Sequence, residues 1–189
     1  MPLIDTLTIN EEHKNSEETL EIIWKALEYF PKSLWRGVNY LGNVNMKHDI
    51  KIRVESKDSI YGAFNFNKLI KRVRKIRELL QVKDILLAVT RDPIIALYYA
   101  FNFDGVSRMA NLVHDYFSKD VGVVSFFRVK RDEDAAKVVA HGLGHSKGLR
   151  HHVKPIDLMY EGLLKCSNLR NEGFCNECLK RIMQEAGNE

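Results

Sequence analysis

The chain has 189 residues, 45% of them hydrophobic and 29% charged, with four prolines and eleven glycines. That is material for one sizeable core and excludes a disordered polar chain. The 29 basic and 25 acidic residues leave a net charge of +4, which gives no concentrated basic stripe of the kind nucleic acid demands.

No apolar run approaches the roughly 18 residues of a membrane span. The opening MPLIDTLTI lacks a basic stretch and carries Asp5, so it does not read as a signal peptide. Three cysteines, two of them in a C-x-x-C pair, fit a reducing compartment and a metal clip better than a disulfide scaffold. The expectation is a cytoplasmic, monomeric, single-domain protein.

Leu3–Ile9 alternates apolar and polar residues and predicts an opening strand. Asn15 or Ser16 then offers a helix cap, with Glu17 and Glu18 in the first turn. Leu20, Ile23, Trp24, Leu27 and Phe30 follow at helical spacing until Pro31. Asp49–Glu55 alternates again as a strand. Phe66 to Leu80 predicts an amphipathic helix with an apolar Leu69, Ile70, Val73, Ile76 face, and the six cations between Lys68 and Arg77 read as its solvated side.

Asp84–Thr90 is apolar throughout and predicts a central strand covered on both faces. Leu97–Phe103 and Gly122–Phe127 predict further strands, with Val106–Phe117 undecided between them. Helices alternating with strands favour an α/β architecture. After His145 the pattern breaks into an irregular lobe that holds all three cysteines, with one periodic segment, Cys175–Met183. Such a lobe needs something besides its own core to hold it.

Arg131–His145 predicts a helix whose Ala136, Val139, Ala140 and Leu143 share one face, with His141 and His145 nearly opposite. These histidines are i and i+4, so their imidazoles can converge. Gly148 follows as a left-handed helix stop, and His151 lies where a reversing chain brings it back. Three imidazoles so arranged make an open tetrahedral zinc site, with a fourth position left for water.

The string His141-Gly142-Leu143-Gly144-His145-Ser146-Lys147-Gly148-Leu149-Arg150-His151 resembles the metzincin metallopeptidase signature H-E-x-x-H-x-x-G-x-x-H. Met159 stands where that clan's methionine turn would run. Within the clan the chain is most similar to archaemetzincins, whose pattern adds a second, structural zinc. The matching positions here are His152, Asp157, Cys175 and Cys178, with Cys166 an alternative to Asp157.

The resemblance implies a mixed twisted sheet with a backing helix and an active-site helix. It implies an upper subdomain over about 1–148 and a zinc-clipped lower one over about 149–189. It also implies a peptide or protein bound in a cleft beside an edge strand, which the sequence puts in Leu97–Phe103 or Val106–Val113.

One departure matters most: the general-base Glu of the pattern is Gly142 here. A positioned base contributes about 10²–10⁴-fold, so peptidase activity is expected to be weak, altered or absent. Glu161, Asp157 and His152 are the substitute bases near in sequence. A non-catalytic, zinc-stabilised peptide-binding module is the alternative reading.

Overall fold

The computed structural model of the chain describes residues 1–54, 59–103, 105–160 and 172–186. The elements run β1 (Leu3–Ile9), α1 (His13–Leu27), β2 (Gly37–Val44), β3 (Ile50–Val54), β4 (Ser59–Asn65), α2 (Phe66–Leu79), β5 (Ile85–Thr90), β6 (Ile94–Asn102), β7 (Gly105–Val113), β8 (Asp115–Phe117), β9 (Val121–Ser125), α3 (Asp132–Ser146) and α4 (Asn176–Ala186).

Five strands form the main sheet in the order β2-β1-β5-β9-β8. The first four are parallel to one another, and β8 at the edge runs antiparallel to β9. As expected from its composition, β5 is central and buried along its whole length. Its alternate residues divide between two cores. Ile85, Leu87 and Val89 face α1 and α3, while Leu86 and Ala88 face Leu69, Ile70 and Val73 of α2. The sheet is thus sandwiched by helices, and the cations of α2 fall on the side away from Leu69 and Val73.

The remaining four strands make a second sheet, β3-β4-β6-β7. This corrects the expected place of the edge strand. β6 and β7 pair with each other residue for residue from Ile94↔Val113 to Asn102↔Gly105 and project as a hairpin. After His114 the chain switches sheets, and the short β8 is the strand that lies beside α3.

Helix α1 also differs from expectation. It begins at His13, with Glu12 as an N-cap that makes no side-chain hydrogen bond, a turn ahead of the predicted cap. Ser16 is then buried inside the helix rather than capping it.

The burial of α3 is a further correction. Every residue from Asp134 to Gly144 is buried, so the histidine side is covered as well as the apolar side. Strand β8 and the segment around Leu158–Met159 supply that cover. Leu149, Leu158, Met159, Phe174, Cys178 and Ile182 all join the core formed by α1, α3 and the sheet. The C-terminal segment is therefore seated on the same core as the rest.

Candidate metal centre

Helix α3 ends in a Schellman stop. The Leu149 amide donates to the Gly144 carbonyl at 3.1 Å and the Gly148 amide to that of His145 at 3.0 Å. Gly148 takes a φ of +73°, the left-handed conformation that glycine adopts without strain. This reversal returns His151 to the helix. The three Nε2 atoms then lie 3.2 Å (His141–His145), 3.0 Å (His145–His151) and 3.1 Å (His141–His151) apart. A tetrahedron around an ion with metal–nitrogen bonds of about 2.0–2.1 Å has an edge of about 3.3 Å, so the spacing suits zinc.

The tautomers point the same way. His141 Nδ1 donates to the Leu158 carbonyl at 2.6 Å, and His145 Nδ1 donates to the Leu149 carbonyl at 3.0 Å. With the proton of each ring held there, both Nε2 atoms present lone pairs. Burial pushes the pKa of His141 down to about 4, and burial followed by the charge of His141 lowers that of His145. Bare nitrogens at this separation repel each other unless a cation lies between them. The carbonyl partners are also the outer contacts that usually orient metal-bound histidines.

Leu158 and Met159 belong to the turn beneath the site. Met159 is fully buried, and a Cβ added at Gly144 would come within 2.8 Å of its sulfur. The methionine therefore needs the glycine in order to pack on α3, one helical turn from His141.

The second group lies in the C-terminal segment. Asp157 Oδ2 is 3.1 Å from His152 Nε2, while the sulfurs of Cys178 and Cys175 are 3.5 and 3.9 Å from that nitrogen. A tetrahedral edge between sulfur and nitrogen on zinc is about 3.6 Å. Burial would raise the pKa of Asp157, but hydrogen bonds from Cys175 and Met159 hold it below the usual carboxylate range. Burial and then the charge of Asp157 push the Cys178 thiol up to about 12. A cation among these groups is what would favour the thiolate.

Each of the two groups has its candidate ligand atoms within 4.8 Å of one another and could hold a metal ion. Of the proposed substitute bases, Asp157 and His152 are engaged with each other, with Asp157 Oδ2 3.1 Å from His152 Nε2. Glu161, like the alternative ligand Cys166, lies outside the described residues.

Two residues escape a reading of the sequence. Asp115 and Phe117 alternate on the face of β8 that meets α3. The Asp115 side chain is 7% exposed, with Oδ2 3.9 Å from His141 Nε2. Burial raises its pKa to about 6, against the opposing pull of His145 and His151. Phe117 lies between two glycines, and a Cβ on either Gly142 of α3 or Gly122 of β9 would overlap its ring. The signal available in the sequence was a lone Asp in an otherwise aromatic strand-like triplet, next to a segment of undecided structure.

A mixed sheet with a reversed edge strand, laid along a helix that carries paired histidines, is a metzincin-like architecture. More narrowly, it is the archaemetzincin fold. The chain superposes on archaemetzincin from Methanopyrus kandleri with a TM-score of 0.62 at 17% identity, over 98% of this chain and 96% of that one. A zinc-dependent peptidase from Methanocorpusculum labreanum matches with a TM-score of 0.58 at 16% identity, over 95% and 99% of the two chains.

Archaemetzincin from Archaeoglobus fulgidus matches with a TM-score of 0.57 at 17% identity, again over 95% and 99%. No protein-family model matches the sequence. No curated protein matches it either. The likeness at these identities is one of fold. Among the described residues, no helix is long and apolar enough to cross a membrane.

Proposed function

We propose that this chain is a zinc-binding protein of metallopeptidase type. His141, His145 and His151 hold a zinc ion with one position open, and His152, Asp157, Cys175 and Cys178 hold a second, structural zinc. The observation that carries the reading is the convergence of three Nε2 atoms at 3.0–3.2 Å, two of them on rings whose Nδ1 protons are committed to carbonyls. The likeness of fold to the zinc-dependent peptidase from Methanocorpusculum labreanum supports a peptide as the ligand.

An ion at the first site would supply Lewis acidity, polarising a peptide carbonyl and acidifying water. The chain's own residues do the rest. β8 is the terminal strand of its sheet, so an extended peptide can add to its outer side by backbone hydrogen bonds. That pairing sets the peptide beside the imidazoles. Leu158 and Leu149 carbonyls hold the rings in place, and the Asp157 turn ties the floor of the site to the second group.

Gly142 cannot hold or move a proton, so cleavage by the usual route is impaired. The Phe117 ring over Gly142 favours a second reading, in which the cleft recognises a peptide without cutting it.

The experiment is zinc analysis of the purified protein together with mass spectrometry of a peptide library incubated with it. Two zincs per chain with slow, zinc-dependent cleavage is the expected result. Two zincs with peptide retained uncut would favour the binding module. No zinc in a folded protein would overturn both.

A further inference from the structure

We propose that Asp115, on the edge strand, is the proton-accepting carboxylate of the three-histidine site, taking the part that position 142 of the helix cannot. The inference rests on the zinc reading above and adds a catalytic residue to it.

Three observations carry it. First, the place for a side chain at position 142 is already filled, because a Cβ there would overlap the Phe117 ring. The helix is thereby closed to a carboxylate at that position while β8 keeps its present position. Second, Asp115 is two residues before Phe117, so the period of the strand sends both side chains toward α3. Tyr116 between them turns to the other face, where its ring meets Phe66 of α2 edge-on. The strand that plugs the helix also delivers the acid.

Third, the carboxylate is buried and lies against the site, with Oδ2 3.9 Å from His141 Nε2. That distance exceeds the ligand–ligand edge of about 3.3 Å in a tetrahedral zinc site. Asp115 also falls outside the group of three imidazoles whose ligand atoms all lie within 4.8 Å of one another, so it would serve as a hydrogen-bond acceptor for a water held there and not as a ligand.

The chemistry balances as peptide hydrolysis. Asp115 takes a proton from the attacking water as its oxygen bonds to the carbonyl carbon. The C–N bond then breaks, and the proton passes from Asp115 to the departing amine nitrogen. Water and one amide yield one acid and one amine.

The test uses the full chain loaded with zinc, and in parallel with cobalt(II) as a coloured probe of coordination. Asp115→Asn is expected to keep its metal and its cobalt spectrum, while cleavage of a mixed peptide library falls about 10²–10⁴-fold. Acetohydroxamate, which puts a proton on any carboxylate beside the metal, should bind cobalt-loaded Asp115→Asn roughly tenfold more weakly than wild type. Asp115→Ala should recover part of its turnover in added formate.

Cleavage by Asp115→Asn within threefold of wild type would overturn the proposal. So would a changed cobalt spectrum or lost metal, which would make Asp115 a ligand. Failure of formate to restore Asp115→Ala would assign a structural role instead. A zinc-loaded wild type that cleaves nothing also overturns it. A wild type with no metal on its three histidines would instead sink the zinc reading on which the proposal depends.

Discussion

The three-histidine group and the His152–Cys178 group differ in how they are assembled and in how they satisfy themselves. The first is drawn from one helix and the turn that stops it, and its geometry follows from a helical repeat plus one left-handed glycine. The second joins residues on either side of 160–171, through a bridge between Asp157 and Gly173 and a hydrogen bond from the Leu158 amide to the Gly173 carbonyl.

Their protons differ as well. In the first group the Nδ1 protons of His141 and His145 are spent on carbonyls, which leaves two facing lone pairs that favour a cation. In the second, the Lys154 amide donates to His152 Nδ1 at 3.2 Å, so that Nε2 carries the proton and can donate to Asp157. That arrangement satisfies the His152–Asp157 pair. A metal there must displace the proton from Nε2 and loosen the Lys154 contact. Local chain geometry sets bare nitrogens face to face, whereas the group joined across the sequence has a hydrogen bond of its own between His152 and Asp157.

The largest expected difference between the two groups is in stability. On the two-zinc reading, Cys178→Ser removes the ion that ties the two stretches together. A ligand held at about a thousand times its dissociation constant contributes about 4 kcal/mol, or roughly 8–16 °C in a chain of this size. A calorimetric melting temperature lowered by that amount, with one zinc lost, is expected. His141→Ala should remove the other zinc with a smaller drop, because it releases only a turn already stopped by Gly148. Equal drops would erase the difference between the groups.

A middle-sized effect concerns the plug over the helix. Gly142→Glu, offered alone, should cost about 1–3 kcal/mol by overpacking against Phe117. It should also fail to raise peptidase activity. In a Phe117→Ala background the same change should cost less, with a coupling of about 0.5–3 kcal/mol in a double-mutant cycle of denaturant midpoints. Additive costs would mean that the ring and position 142 do not compete.

The smallest effect tests the turn. Gly148→Ala forces a β-carbon into the left-handed region at a cost of about 1–2 kcal/mol, read as a lower melting temperature. Zinc at the three-histidine group should be held more weakly in a chelator competition, since His151 depends on that reversal. Unchanged zinc affinity would uncouple the turn from the site.

Much of this was legible in the sequence because it is local. The i, i+4 histidines, Gly148 and His151 sit within eleven residues, and the apolar run of β5 states its own burial. Other features depend on partners far along the chain. After the buried Gly37, β2 alternates between partly buried and exposed positions at the sheet edge, so its composition carries little signal. The covered histidine face of α3 requires β8 and Leu158, which no periodicity within the helix reports. Asp115 gains its meaning only because Phe117 is held between Gly122 and Gly142, on two other elements. That relation exists in three dimensions alone.

The most direct test is zinc stoichiometry of wild type, His141→Ala and Cys178→Ser, by elemental analysis against an accurate protein concentration. Two, one and one zinc per chain are expected, with the single zinc of Cys178→Ser removed by adding His141→Ala. A wild type with one zinc that His141→Ala leaves in place would contradict a metal ion on the three imidazoles.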